Sequence, residues 1–359
     1  MSYTVIVNPD PVRWDAFVSA HPDAHLLQLS GWAQLKSAFG WSGQIIAIAD
    51  GTGTLVAGAS ILFRPLPLRL GQMAYIPAGP LFSTPSADAA LWRAVHDAAQ
   101  RRRAAFLKVE PCDWYRSRPD LPARLARAGC RPSPHTVQPP RTIVIDIAPS
   151  EDDILRRMNQ STRYKARLGP KKEVSVREGI AADLDSFTGL MAITGARDGF
   201  GVHEPAYYRM AYDLFAPAGR CALIMASYAG RDLAGVMAFH CGENAYYLYG
   251  ASSNEERNRM APYIAQWEAI RWAKRQGAIR YDLWGVPDAD ESTLEADFEA
   301  RRDGLWGVYG AKRGFGGQLV RSAGAWDKPY NPLLYAAYRW YVGRRRAPAG
   351  SLPRDGQQS

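Results

Sequence analysis

Two carboxylates close strand-like segments at equivalent places in the chain. Glu110 follows Ala105-Phe106-Leu107-Lys108-Val109, and Asp282 follows Ala278-Ile279-Arg280-Tyr281. Ligand-binding groups gather at the carboxyl ends of strands in α/β sheets, so each acid could take a proton or orient an amine. Each could equally be a strand-end ion-pair partner. Lys312 precedes Gly314-Phe315-Gly316-Gly317. Three glycines in four residues suit a tight turn or a close approach of backbone to a ligand. They do not form the strand-to-helix phosphate loop of a nucleotide site. Tyr246, Tyr247 and Tyr249 fall on one predicted strand, whose alternation puts Tyr247 and Tyr249 on one face and Tyr246 on the other. Arg156, Arg157, Arg163, Lys165 and Arg167 fall on one predicted helix that starts at Ser150, with Lys171 and Lys172 just beyond its break at Gly169-Pro170. Clustered cations suit a phosphate backbone; a solvated helix face has the same look.

These residues need elements to hold them, and a long-period repeat supplies the elements. The first copy runs from Leu55 as a strand to Phe63, then Met73–Gly79, a helix around Trp92, and the strand ending at Glu110. The second runs from Asp232 as a strand to His240, then Ala245–Ser252, a helix around Trp267, and the strand ending at Asp282. Each copy reads as β-hairpin, helix, strand. Apolar residues three and four apart (Leu91, Ala94, Val95, Ala98; Ile264, Trp267, Ile270, Ala273) give each helix a core face. The period is too long for a solenoid and points to two related domains in tandem. The proline-dense stretch Arg131–Pro140 between the copies resists helix and central strand.

At 359 residues the chain is long enough for two domains, and 47% hydrophobic with 22% charged residues excludes wholesale disorder. No uninterrupted apolar run reaches a membrane span, and the first residues lack signal-peptide character, so a cytoplasmic protein is expected. Cys112, Cys130, Cys221 and Cys241 are widely spaced without a Cys-x-x-Cys pair, which favours buried free thiols over a metal site. The net charge of +9 favours an anionic partner: nucleic acid, anionic lipid or a phosphorylated substrate.

Four further segments carry a resemblance: Gln28-Leu29-Ser30-Gly31-Trp32-Ala33-Gln34-Leu35-Lys36, Gln138-Pro139-Pro140 leading into Thr142–Ile147, Asn159-Gln160-Ser161-Thr162-Arg163-Tyr164, and Gly304–Gly317. In this order, from about Leu27 to Leu334, the chain resembles the Fem family of peptidoglycan-bridge aminoacyltransferases, in its short form without an inserted helical hairpin. The resemblance implies an α/β fold of two tandem acetyltransferase-like (GNAT-like) domains, with mixed sheets flanked by helices. The expected division is 1–147 with 318–345, then 148–317, then a disordered tail from 346 to 359.

The resemblance also implies a reaction. An aminoacyl group leaves a tRNA and joins the free amine of a nucleotide- or lipid-linked muropeptide, with no metal and no cofactor beyond the aminoacyl-tRNA. Such aminolysis needs positioning, a neutral amine and support for the oxyanion. Lys312 is similar to a family lysine near the reacting ester, although Ala311 stands where the family often has an aromatic residue. Glu110 matches an acidic position for the incoming amine. Lys36 looks like a residue that holds the precursor's diphosphate. Tyr247 and Tyr249 resemble tyrosines lining the precursor channel. In Asp198–Tyr208, His203 stands where family members often carry Arg, four residues before Tyr207, and Arg197 is a candidate substitute. Arg156, Arg163, Lys165, Arg167, Lys171 and Lys172 are the candidate tRNA contacts. The aromatic stretch Pro332–Tyr341, followed by Arg344, Arg345 and Arg346, suits peripheral contact with the inner membrane face or a segment docked on the first domain.

Two other readings stay open on the residues alone. One is an acyl-CoA N-acyltransferase, which needs a glycine-bearing loop at a helix start to cradle pyrophosphate. Ser83–Asp88 has no glycine, and Arg257–Tyr263 has Met260 where glycine is wanted and Pro262 without a donor. The other is a non-catalytic binder of tRNA or anionic lipid.

Overall fold

In a computed structural model, residues 2–67, 71–116 and 118–344 are described. Two compact units divide them: the N-terminal part to Pro140 joined by the chain from Arg321 onward, and Arg141–Val320. The expected tail from 346 lies outside the described residues.

The first unit opens with strand β1 (Thr4–Val7) and helices α1 (Pro11–Ala20) and α2 (Ser30–Ala38). Strands β2 (Ser42–Ala49), β3 (Leu55–Pro65) and β4 (Gln72–Pro77) form an antiparallel meander. Helix α3 (Pro85–Arg101) then returns the chain to β5 (Ala104–Glu110), parallel to β4. α3 forms where expected: Thr84 caps it by accepting from Ala87 N–H, Pro85 opens it, and Leu91, Val95 and Ala98 are buried on one stripe. α4 (Leu121–Arg127) and β6 (Arg131–Ser133) complete the N-terminal part.

The second unit begins with β7 (Arg141–Asp146), α5 (Glu151–Arg157), α6 (Gln160–Ala166), β8 (Ser175–Glu178), α7 (Leu184–Asp198) and α8 (Pro205–Phe215). Its meander is β9 (Cys221–Tyr228), β10 (Arg231–Cys241) and β11 (Asn244–Ser252). α9 (Ala261–Arg275) crosses to β12 (Arg280–Asp282), parallel to β11. α10 (Glu291–Asp297), α11 (Trp306–Arg313) and β13 (Gln318–Arg321) follow. The chain re-enters the first unit as β14 (Ala325–Pro329) and α12 (Pro332–Arg344).

The two sheets have one plan. Their orders are β1-β2-β3-β4-β5-β14-β6 and β8-β9-β10-β11-β12-β7-β13. The repeat read from the sequence is the middle of each sheet. In each, the neighbour of the crossover strand comes from outside the repeat and runs antiparallel to it. The observed division therefore falls at Pro140, not at residue 147. The strand Thr142–Ile147, expected in the first domain, pairs instead with β12: Val144 faces Asp282 and Ile145 faces Tyr281. Thr142 Oγ1 donates to Asp282 Oδ1 at 2.5 Å, a buried bond that fixes this pairing.

In the first unit the matching contact is ionic. Lys108, at the centre of fully buried β5, lies opposite Asp327 of β14, and Nζ meets Oδ1 at 2.8 Å. Nζ also donates to Ser133 Oγ at 3.0 Å and to the His135 carbonyl at 2.7 Å. A buried charge is tolerated only when paired and hydrogen-bonded in this way. Cys130, Cys221 and Cys241 are buried free thiols as expected, and Cys112 is half-buried.

Candidate functional site

Lys312 occupies the last turn of α11, not an open turn. After β12 the backbone enters two successive left-handed residues, Trp284 at φ +52° and Gly285 at φ +56°. A non-glycine residue there costs about 1–2 kcal/mol, so the surroundings must hold Trp284 in place. Asp282, fully buried, accepts from Trp284 N–H at 2.7 Å and supplies that hold. The result aims two carbonyls at one ammonium. Lys312 Nζ donates to Trp284 O and, at 2.8 Å, to Gly285 O. It stands 5.7 Å from the centre of the Tyr247 ring. Burial of the ammonium end pushes its pKa down to about 7, and the Asp282 carboxylate opposes that shift. An ammonium has three donors, and these carbonyls take two. The third can meet a developing oxyanion.

The three glycines after Lys312 serve this placement. A Cβ on Gly314 would stand 2.1 Å from Thr162 Oγ1, and one on Gly316 2.1 Å from Arg157 O. One on Gly317 would stand 2.5 Å from Ile143 Cγ2. Gly314 O accepts from Asn159 N–H at 3.0 Å. The glycines thus bring the α11 exit against the α5–α6 junction and β7. The close approach that their spacing suggested is between protein segments, and only Gly316, at φ +78°, has a left-handed backbone.

The tyrosines divide differently from the expectation. Met237 of β10 faces Tyr249, yet the next residue, Ala238, faces Tyr247. Leu248 is the extra residue of a β-bulge. Because Met237 and Ala238 point to opposite faces, so do their partners, and Tyr246, opposite Phe239, sides with Tyr249. Tyr247 packs with the core under α9 and beside Lys312. Tyr249 lies instead with the side chains of α8. Its ring meets Tyr208 edge-on at 5.2 Å, and its hydroxyl lies 3.3 Å from that of Tyr207. His203 stacks on Tyr207 with ring centres 3.8 Å apart and meets Tyr249 edge-on at 6.0 Å. His203, Tyr207 and Tyr249 are therefore one aromatic wall, and Tyr247 belongs to the Lys312 group. Arg197 lies on the final turn of α7. Its guanidinium grips Asp198 at 2.8 and 2.9 Å and also reaches Ser252 Oγ at 3.2 Å and Asn254 Oδ1 at 3.1 Å. Its fork is already filled by a carboxylate.

In the first unit Glu110 is buried and receives three hydrogen bonds. Tyr75 Oη donates to Oε2 at 2.7 Å, Gln138 N–H to Oε2 at 2.9 Å, and Val137 N–H to Oε1 at 2.5 Å. Burial raises its pKa, and these donors oppose the rise. The carboxylate ties the proline-dense crossing to the end of β5. Tyr75, which the sequence reading did not single out, is its side-chain partner. Only its place on β4, the parallel neighbour of β5, could have pointed to it. Lys36 is half-buried in the last turn of α2.

The basic segment is two helices, not one. The chain leaves the helical region at Met158, and Asn159 caps α6 by accepting from Thr162 N–H at 2.7 Å. Arg156 pairs with Asp153, Arg157 with Asp146 at 2.9 Å, and Arg167 with Asp152 at 3.3 Å. Arg163 reaches Arg156 O at 3.3 Å, and Lys165 lies 4.7 Å from the centre of the Tyr263 ring. Lys171 and Lys172 end a 3-10 turn, Pro170–Lys172. Much of the helical charge is thus locally balanced.

Of the two helix starts that could cradle a pyrophosphate, that of α3 is filled from within, and that of α9 is formed by a left-handed Met260 and Pro262 in place of glycine. At α3, Asp88 accepts from Ser83 N–H at 2.8 Å and pairs with Arg124. At α9, Met260 takes φ +58°, and Arg259 bridges Glu256 Oε2 at 2.8 Å and Lys172 O at 2.6 Å. Among the described residues no group of three His, Cys, Asp or Glu side chains converges as a metal site.

Comparison with known proteins extends this geometry. The model of the FemAB family matches residues 11–121, 129–232 and 223–341. A lipid II:glycine glycyltransferase of Staphylococcus saprophyticus is 26% identical over 391 aligned positions, which cover 89% of this chain and 92% of the relative. The enzyme of the same name from Staphylococcus aureus is 25% identical, with the same coverage. The crystal structure of FemX superposes with a TM-score of 0.83 over 94% of this chain and 99% of its own, at 23% identity. A tandem GNAT protein from the clavulanic acid pathway gives a TM-score of 0.52 at 12% identity, over 92% of this chain and 99% of its own. The fold is thus the tandem GNAT-like one that the resemblance implied, and the repeat read from the sequence fits it.

Proposed function

The chain belongs to the FemAB family, and on that premise we propose that it is an aminoacyltransferase acting on a peptidoglycan precursor. The amino acid comes from aminoacyl-tRNA and joins the free side-chain amine of the muropeptide, without a further cofactor. The observation that carries this reading is Lys312, desolvated and aimed by two backbone carbonyls, in a chain similar over nearly its whole length to enzymes named for glycine transfer to lipid II.

In the reaction the neutral amine attacks the ester carbonyl. A C–N bond forms, the C–O bond to the tRNA ribose breaks, and the proton lost by the amine ends on the ribose oxygen. Lys312 supplies its third N–H to the tetrahedral oxyanion. Glu110, its pKa raised by burial, is held in the first unit by its own three donors. The wall of His203, Tyr207 and Tyr249 holds the precursor; Tyr247 lines the lysine pocket. His203 cannot make the paired bonds of an arginine, so this wall offers the precursor aromatic faces rather than a charged fork. The filled start of α3 and the glycine-free start of α9 weigh against acyl-CoA as the donor.

Donor binding rests on the cations around α6. Arg156, Arg163, Lys165 and Arg167 flank Lys171 and Lys172, which are the side chains here least involved in local pairs. Replacing Lys171 and Lys172 together by Gln is expected to weaken tRNA binding for all sequences alike. It should also lower the salt-dependence slope by about 1–2. A slope unchanged in a filter-binding titration removes these lysines from the interface. Catalysis at the cytoplasmic face follows from the donor; among the described residues no helix is long and apolar enough to cross a membrane.

The test is a mass-spectrometric acceptor assay with charged tRNA and nucleotide-linked or lipid-linked muropeptide, beside a tube with acetyl-CoA. A mass gain of one aminoacyl residue, abolished by ribonuclease, is the expected result and names the amino acid. Transfer only from acetyl-CoA would overturn the donor assignment.

A further inference from the structure

α12 has two unlike faces. Its inner face rests on β5: the rings of Tyr335 and Tyr338 lie 5.2 and 4.5 Å from Phe106, and Tyr335 Oη donates to Asp327 Oδ2 at 2.9 Å. The helix is therefore anchored in the first unit. Its outer face carries Leu333, Ala336, Ala337 and Trp340, three and four residues apart and so on one side. All are exposed, Leu333 by 83% and Trp340 by 60%. An anchored helix that turns leucine and tryptophan outward reverses the usual arrangement. The charges beside this stripe have one sign. Arg339 is on the helix, and the Arg344 guanidinium lies 3.9 Å from the centre of the Trp340 ring. No Asp or Glu occurs between Asp327 and Asp355. At the start of the helix, Leu334, Tyr330 and Asn331 help line an open pocket of about 850 Å³ whose other wall includes Arg102 and Arg103.

We infer that the outer face of α12 docks on an anionic lipid bilayer. Leu333 and Trp340 enter the headgroup region, where an amphipathic indole is favoured, and Arg339 and Arg344 meet lipid phosphates at its level. The basic pocket wall adds positive charge beside the entry of Leu333. Charge complementarity selects this occupant over a second copy of the chain. A two-fold contact through α12 would bring like arginines together, and one helix face of this length falls short of the roughly 800 Å² per partner of a stable interface. The inference goes beyond the transfer reaction and needs neither tRNA nor muropeptide to be tested.

The experiment is co-sedimentation of the full chain with phosphatidylcholine vesicles, with and without phosphatidylglycerol, alongside light scattering. Binding is expected to be at least about tenfold stronger to the anionic vesicles. The double variant Leu333→Ser/Trp340→Ser should lose at least about tenfold of that binding at unchanged melting temperature, because both side chains are exposed. Arg339→Gln/Arg344→Gln should erase the preference for anionic lipid. Equal binding by the Ser variant, or no vesicle binding by the native chain, overturns the inference. So does a dimer that the Ser variant dissociates.

Discussion

Lys312→Ala is expected to lower the turnover of amide formation by about 10²–10³-fold, the usual cost of losing one oxyanion donor. The KM for the muropeptide should stay within about threefold, because the proposed contact is one made in the transition state. The pH profile separates this role from a merely structural one. A lysine that acts as a cation is lost as pH rises through its pKa, here about 7. The native rate should therefore bend downward above about that pH, once the rising fraction of neutral amine is divided out. Lys312→Arg keeps its charge across this range and should lose the bend. A folding control follows from the same shift. The folded-state pKa lies below the ordinary lysine value of 10.5, so the unfolded chain binds more protons between about 7 and 10.5 and stability rises with pH in that window. Lys312→Met, which keeps the stem, should flatten that rise and leave the melting temperature within a few degrees of native. A Lys312→Ala protein with native turnover would remove this residue from the chemistry.

Gly316→Ala is expected to destabilise the protein by about 2–5 kcal/mol. Of this, about 1–2 comes from a left-handed backbone and about 1–3 from overpacking against the α5 exit. The added Cβ would stand 2.1 Å from Arg157 O and 2.5 Å from its carbonyl carbon, and backbone cannot swing aside as a side chain does. For a unit of this size that corresponds to a fall in melting temperature of roughly 4–20 °C by calorimetry. Gly189→Ala is the contrasting substitution. It lies in α7 with nothing within 4 Å of the new Cβ, and gains helix propensity instead. If Gly316→Ala melts as the native protein does, the glycines are not packing residues, and a close approach to ligand becomes the better account of them. Because the same glycine fixes the exit of α11, a partly folded variant should also lose turnover through misplacement of Lys312.

The two cases mark how far the sequence could be read. The repeat, its hairpins, α3, α9 and the acids at the ends of β5 and β12 were legible because each depends on local periodicity and caps. Gly314, Gly316 and Gly317 were legible as a constraint but not as a contact, since nothing local names Thr162, Arg157 or Ile143 as their neighbours. The basic run has the look of one helix because its charges lie on both sides of Met158 and Asn159. The cap formed by Asn159 was visible as a residue type, yet it competes with a helix pattern that runs on either side. Glu110 was found by its strand-end position, whereas its three donors come from two distant segments.

The amino-acid order by itself determined two α/β units of one plan, the place of each candidate residue along its element, and the charge balance that seeks an anionic partner. Tertiary structure decided the rest. It gave β7 to the second sheet, because Thr142 and Asp282 satisfy each other only there. It set Tyr247 beside Lys312 and Tyr249 beside His203, because one extra residue at Leu248 reverses the alternation that a strand otherwise enforces. It turned Lys312 toward the carbonyls of Trp284 and Gly285, which a sequence window around either segment does not connect. Alternation and helical period act over a few residues, whereas a buried polar group takes its partner wherever the folded chain supplies one.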